Sequence, residues 1–142
     1  MGLDDLENAL KLNLICYSKN LTAGSAKTSL SEGYARNTAF FLFDFLGQHR
    51  RYDHLFRIIH GLCDPASPKL DPIEEPLLRT FDLLPRHRGT RAEIQRIRGR
   101  LDHTKKELEA RSQWFDQSAR DRVVKSIATA VGIISRQVKE AK

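Results

Sequence analysis

The chain has 142 residues, of which 40% are hydrophobic and 30% charged, and its formal net charge is +6. This composition is typical of a soluble globular protein rather than a disordered one, and two cysteines are too few for a disulfide framework. The most apolar windows, 39–46 and 123–134, are too short to span a bilayer. The first residues also lack the basic start and apolar run of a signal peptide, so we expect a cytoplasmic protein with no membrane partner.

Apolar residues at the start of the chain recur at helical spacing, at Leu3, Leu6, Leu10 and Leu14. This spacing predicts a first helix that ends near Tyr17, followed by a loop over residues 20–25. Ser31 is then a candidate N-cap for a second helix.

The second predicted helix contains the most informative stretch of the chain, residues 39–46, which read Ala-Phe-Phe-Leu-Phe-Asp-Phe-Leu. A helix that is apolar almost all round is either central in its bundle or carries an apolar surface for a partner. Both interpretations are open at this point. The second one predicts a protein-interaction surface centred on apolar side chains and oriented by nearby charges. Its candidate residues are Phe40, Phe41, Phe45, Arg50, Arg51 and Asp53.

Gly47 fits the end of this helix, and a third helix is predicted over residues 51–62. Pro65, Pro68 and Pro72 then follow within eight residues, which favours a boundary at this point. Beyond them, apolar residues at spacings of three and four predict a short helix over residues 73–84.

The rest of the chain predicts long amphipathic helices. Thr90 and Glu93 form a capping box at the start of a helix that runs to about Gln117. Its heptad-like seam packs either within the chain or against another chain. The seam residues are Ile94, Ile97, Leu101, Thr104, Leu108, Arg111 and Phe115. A last apolar stripe contains Val123, Ile127, Val131, Ile134 and Val138. Strand-like alternation is absent from the sequence, so the predicted fold is all-α.

The sequence shows no catalytic signature. It contains no glycine-rich phosphate loop, no paired metal motif and no triad-like set. His60 and Cys63 are one helical turn apart and form half of a zinc site at most, because no second pair is spaced to complete four ligands. We therefore expect a protein that is not an enzyme and has neither a metal nor another cofactor.

The positive charge is concentrated in the second half, where residues 71–142 carry sixteen Lys/Arg and eleven Asp/Glu. Seven arginines fall between Arg79 and Arg100. Such a cluster attracts phosphate or an acidic partner, which makes nucleic acid an alternative partner. The candidate residues for nucleic-acid binding are Arg86, Arg88, Arg91, Arg96, Arg98 and Arg100.

Residues 39–65 resemble the C-terminal helix pair of bacterial effector-associated domains with a death-like fold. In that family a helix with small and aliphatic core residues leads through a short basic turn into a second helix. The second helix opens with an arginine, an apolar residue and an acidic residue, and it ends at a proline-containing stop. The matching positions are Ala39, Leu42, Phe43, Phe45, Leu46, Arg51, Tyr52, Asp53, Leu55, Ile59 and Pro65.

The resemblance covers about residues 1–66 and implies a death-like helical bundle there. Together with the residue patterns, it divides the chain into that bundle, a Pro-rich linker with a short helix over residues 67–89, and long amphipathic helices over 90–142. These last helices are expected to form a hairpin or a coiled-coil-like module. The family also implies a non-catalytic adaptor that pairs with like domains in bacterial conflict or antiviral defence. A homo-oligomer or another protein partner is therefore expected. The alternative is a small basic nucleic-acid-binding subunit of a larger ribonucleoprotein or defence complex.

Overall fold

The computed structural model describes residues 2–62, 69–86, 89–110 and 116–140. Within these ranges the secondary structure is entirely helical. The helices are α1 (Leu3–Ala23), α2 (Thr28–Gln48), α3 (Tyr52–Leu62), α4 (Glu74–Leu83), α5 (Arg91–Ala110) and α6 (Gln117–Glu140). Short 3-10 turns flank α4, at Asp71–Ile73 and Leu84–Arg86. The all-α prediction is confirmed for the described part of the chain.

The first helix is longer than the sequence predicts. α1 continues through the predicted loop and ends at Gly24, whose φ of 64° is the left-handed conformation that glycine adopts without strain. The amide of Ser25 closes this end by donating to the Asn20 carbonyl at 2.9 Å. The predicted end near Tyr17 is therefore wrong. Asn20 favours loops in isolation, but here its side chain bonds to α2, and this contact stabilises the last turns of α1.

Ser31 is not the N-cap of α2, because the helix begins one turn earlier, at Thr28. Ser31 is buried, and its hydroxyl lies 3.2 Å from the Lys27 carbonyl and 2.7 Å from Nδ2 of Asn20. The hydroxyl donates to the carbonyl and accepts from the amide, so both of its hydrogen-bonding roles are used inside the helix pair.

The turn between α2 and α3 contains a strained residue. Arg50 has a φ of 54°, and among the described non-glycine residues it alone has a positive φ. Its amide donates to the Gly47 carbonyl at 3.1 Å, and the Arg51 amide donates to the Leu46 carbonyl at 2.8 Å. These two bonds form a Schellman-type helix end. The sequence correctly places the turn beside Gly47, but the left-handed residue is an arginine.

One contiguous core contains residues from all six helices. Phe43 of α2, Phe56 of α3 and Phe81 of α4 are its largest fully buried side chains. α4 lies inside the segment predicted as a linker, and its apolar face packs against α2 and α6. Pro65 and Pro68, which mark the predicted boundary, lie outside the described residues.

α5 and α6 pack against each other and bury the predicted seam. Ile97, Leu101 and Leu108 of α5 are buried in the same core as Val123 and Ile127 of α6. The described seam residues are thus covered within the chain, while Arg111 and Phe115 lie outside the described residues. One half of the predicted capping box at the start of α5 is confirmed, since Oγ1 of Thr90 accepts from the Glu93 amide at 3.2 Å. The same hydroxyl donates to the Glu93 carboxylate at 3.1 Å.

Candidate interaction surface

Two side-chain hydrogen bonds define how α1 and α2 pair. Asn13 donates to Oγ1 of Thr38 at 3.4 Å, and Asn20 donates to Oγ of Ser31 at 2.7 Å. The residue numbers rise from 13 to 20 on α1 while those of the partners fall from 38 to 31 on α2, so the two helices are antiparallel. Both pairs lie along one edge of the interface between the helices. Residues next to these pairs on the outer side of each helix therefore form one shared surface.

This surface, called the α1/α2 face, contains large apolar side chains that are open to solvent. On α2, Leu30, Tyr34 and Phe41 are 55%, 55% and 60% exposed and follow one another at spacings of four and seven. On α1, Leu12 is 61% exposed and lies beside Asn13 and Cys16. The full set is Ala9, Leu12, Asn13, Cys16 and Asn20 of α1, and Leu30, Tyr34, Asn37, Thr38 and Phe41 of α2.

The ten residues of the α1/α2 face include no Lys, Arg, Asp or Glu, and exposed charged residues, Asp5, Lys19 and Lys27, lie at its two ends. Charged residues make up 30% of the chain, and they are normally concentrated at the surface. Depletion of charge together with exposed aromatic and aliphatic side chains is typical of the core of a protein interface.

The three predicted phenylalanines do not form one patch. Phe41 is on the α1/α2 face, but Phe40 is on the side of α2 that meets α4, where the Arg79 guanidinium lies 5.9 Å from its ring centroid. Phe45 is half-buried against the core, and its ring lies 4.3 Å from that of His49. The exposed apolar neighbours of Phe41 are therefore not Phe40 and Phe45. They are Leu12, Leu30 and Tyr34. Their helical spacing is visible in the sequence, but their solvent-facing direction depends on how α1 and α2 pack.

The predicted orienting charges have different surroundings. Arg50 and Arg51 are exposed in the turn between α2 and α3. Asp53 instead interacts with α5, where its two carboxylate oxygens lie 2.9 Å from Nη2 of Arg100 and 3.6 Å from Nη1 of Arg96. This brings a residue of the predicted protein-interaction set against two residues of the predicted nucleic-acid-binding set.

The predicted arginine cluster is partly neutralised by such pairs. Besides Arg96 and Arg100, Arg86 lies 3.7 Å from Asp82. Arg91 and Arg98 are exposed and have no ion pair among the described side chains. Arg88 lies outside the described residues.

The half zinc site predicted from His60 and Cys63 cannot be assembled from the described residues, because Cys63 lies outside them. His60 is bonded to α5 instead. Thr104 donates its hydroxyl proton to the Arg100 carbonyl at 2.8 Å, so its oxygen accepts from Nε2 of His60, also at 2.8 Å. Burial of the ring lowers the pKa of His60, and the His103 ring, with its centroid 4.8 Å away, lowers it further.

One group of potential metal ligands occurs among the described residues: Asp4, Glu7 and His54, with ligand atoms within 4.8 Å of one another. Nε2 of His54 is buried without a hydrogen-bond partner in the described structure, and it lies 3.8 Å from Oε1 of Glu7. Glu7 already pairs with Lys11 at 3.0 Å, and the site adjoins the electropositive start of α1. Both features oppose a bound cation.

Comparisons with protein-family models, with curated proteins and with solved structures find no match to this chain. Among the described helices, none combines the length and the apolar character that crossing a bilayer requires.

Proposed function

We propose that this protein is a non-catalytic adaptor or assembly module that associates with a second copy of itself through the α1/α2 face. The observation that carries the proposal is the uncharged surface around Leu12, Tyr34 and Phe41, each more than half exposed. Burying such side chains contributes about 1.5–3 kcal/mol for each large apolar group that is fully removed from water.

The charge distribution supports a second copy as the occupant. The chain carries a net charge of +6, so two copies repel each other when charged surfaces approach. The α1/α2 face is the exception, because its ten residues are uncharged and include the exposed Asn37, whose amide group can both donate and accept hydrogen bonds. A surface of this kind is complementary to itself across a two-fold axis.

The size of the surface predicts a weak association. The α1/α2 face spans residues 9–20 and 30–41, so each helix contributes a segment roughly 18 Å long and 10 Å wide. Side by side the two segments present roughly 360 Å² per copy, or roughly 720 Å² per pair, which is the size of a weak or transient interface. We expect a weak dimer that forms at high protein concentration, oriented in part by Arg50 and Arg51.

The resemblance of residues 1–66 to effector-associated domains supports the same function. It adds the finer proposal of a death-like bundle over 1–66, followed by an amphipathic hairpin formed by α5 and α6. In this scheme the protein works in the cytoplasm of a bacterium and links a sensor to an effector in a conflict or antiviral system.

The test is the solution mass measured by light scattering on nuclease-treated protein, at low and high salt. We expect a defined dimer that persists at high salt, because apolar association is not screened. Phe41→Ser should yield a folded monomer whose melting curve matches that of the wild type at protein concentrations low enough for the wild type to be monomeric.

Leu83→Ser is the matched control, since Leu83 is an exposed apolar residue of α4 outside the α1/α2 face, and this variant should remain dimeric. A wild-type monomer at high protein concentration contradicts the proposal. So does a Phe41→Ser variant that keeps the wild-type mass.

A further inference from the structure

The outer side of α6 carries basic residues at two places, around Lys125 and around Arg136 and Lys139, and α6 also contains Asp121 before the first place and Glu140 after the second. Residues 122–139 contain four Lys/Arg and no Asp/Glu. The exposed residues of this segment define the α6 stripe, which consists of Arg122, Lys125, Ala128, Thr129, Gly132, Arg136 and Lys139.

Most of this charge is available to a partner. Arg122 is engaged, because its Nε and Nη2 donate to the Glu74 carboxylate at 2.7 and 2.9 Å. Lys125, Arg136 and Lys139 have no ion pair with any side chain that the structure describes. The predicted arginine cluster is paired in part, since Arg96 and Arg100 share Asp53 while Arg91 and Arg98 have no described ion pair. On α6 three cations without a described ion pair share one helix face.

The shape of the stripe suits a regular polyanion. Lys125 and Arg136 are eleven residues apart, or roughly 16 Å along the helix axis, and Lys139 follows Arg136 by one turn. Between these two basic ends the exposed side chains are the small ones of Ala128, Thr129 and Gly132. The spacing is of the order of the groove width of a nucleic-acid duplex, roughly 12 Å for the major groove of B-DNA. A helix laid across a groove thus places one basic end on each phosphate ridge.

The geometry points to a second activity of this protein, the binding of the sugar–phosphate backbone of duplex nucleic acid by Lys125, Arg136 and Lys139. The binding has no sequence preference, because the stripe lacks Asn, Gln and aromatic side chains for reading bases. It also lacks the large apolar side chains that anchor a helix in a membrane or form the centre of a protein interface. Nucleic acid is therefore favoured over an anionic lipid surface or an acidic protein.

The test is fluorescence anisotropy of a labelled duplex DNA of random sequence, titrated with the full-length protein at several salt concentrations. The charge-removing variant is Lys125→Gln/Arg136→Gln/Lys139→Gln. We expect it to weaken binding by at least about tenfold at low salt and to reduce the slope of log K against log salt by about 3.

The matched control is Arg57→Gln/Arg91→Gln/Arg98→Gln, which removes three exposed cations that also lack a described ion pair. It should change the affinity by less than about threefold. Three outcomes overturn the inference: no binding by the wild type, an equal loss in the control, or tighter binding to polyglutamate or anionic vesicles than to the duplex.

This inference is independent of self-association. The Phe41→Ser variant should still bind the duplex, and its slope of log K against log salt should be that of one α6 stripe. The variant Lys125→Gln/Arg136→Gln/Lys139→Gln should keep the wild-type mass. A wild-type protein that is monomeric but binds the duplex would contradict the proposed adaptor function alone. The reverse result would remove the α6 inference alone.

Discussion

Oδ1 of Asp53 lies 2.9 Å from Nη2 of Arg100, so α3 and α5 are joined by an ion pair between residues predicted to belong to two different functional surfaces. Arg96 reaches the other carboxylate oxygen at 3.6 Å. The acidic residue therefore has a role within the fold, and the two arginines are less available to phosphate than their sequence cluster suggests.

Removing this acidic group should have a small effect on stability. Asp53 is 62% exposed and Arg96 is 65% exposed, and ion pairs at such sites contribute about 1 kcal/mol or less. We expect Asp53→Asn to lower the free energy of unfolding by less than about 1 kcal/mol in urea denaturation and to leave the solution mass unchanged. A monomeric Asp53→Asn variant would instead make Asp53 part of the association surface.

The Phe81→Ala variant tests whether α4 is part of the main hydrophobic core. The Phe81 side chain is fully buried, and truncation of such a residue costs about 3–5 kcal/mol. We expect Phe81→Ala to lower the free energy of unfolding by that amount in a single cooperative transition. Leu83→Ala, at a position 45% exposed in the same helix, is the control and should cost under about 1 kcal/mol. Equal small effects at both positions would mean that α4 is a separate linker helix.

Ser31 connects α1 to α2 through Asn20. Ser31→Ala removes the acceptor of the 2.7 Å bond and leaves the Asn20 amide without that partner. We expect a loss of about 1 kcal/mol in the free energy of unfolding, measured by urea denaturation. Ser29→Ala is the control because Ser29 is exposed in the same helix. A Ser31→Ala variant as stable as wild type would contradict a structural role for this bond.

His60 should make stability depend on pH. Burial lowers its pKa below the ordinary value of 6.5, so the unfolded chain binds a proton more readily than the folded one. Its contribution is therefore present above pH 6.5 and is lost as the pH falls from 6.5 through the lowered folded pKa. His103, Arg100 and Glu107 face the same ring and contribute to its electrostatic environment.

We expect the free energy of unfolding to be lower at pH 5.5 than at pH 7.5, and His60→Gln to reduce this difference. His49→Gln, at an exposed position, is the control and should keep the wild-type difference. An undiminished pH effect in His60→Gln would assign it to other groups.

Arg50 occupies a conformation that disfavours a side chain. The left-handed region costs a non-glycine residue roughly 1–2 kcal/mol, and Arg50 has a φ of 54°. We expect Arg50→Gly to raise the free energy of unfolding by about 0.5–1 kcal/mol, since glycine removes the strain but gains entropy when unfolded. The matched change, Arg51→Gly, should not stabilise, because Arg51 has no positive φ. Weaker dimerisation of the stabilised Arg50→Gly variant would support an orienting role for this side chain.

Helix type and most helix positions follow from local patterns. The apolar spacing of α3 and the Thr90–Glu93 capping box involve residues within a few turns of one another, so their physics is contained in a short window of sequence. The end of α1 could not be predicted in this way, because the stabilising partner of Asn20 is a side chain of the next helix.

The candidate surfaces also combine features that follow from local sequence with features that depend on tertiary contacts. The sequence by itself determined that the chain is helical and that residues 39–46 are apolar on more than one side, because periodicity and composition act locally. Only the tertiary structure decided that Phe40 meets Arg79, that Phe41 faces solvent and that Asp53 pairs with Arg100. It likewise decided that Lys125, Arg136 and Lys139 have no described ion pair while Arg122 of the same helix pairs with Glu74. Exposure and charge pairing are properties of helices brought together from distant parts of the chain, and no local window contains both partners.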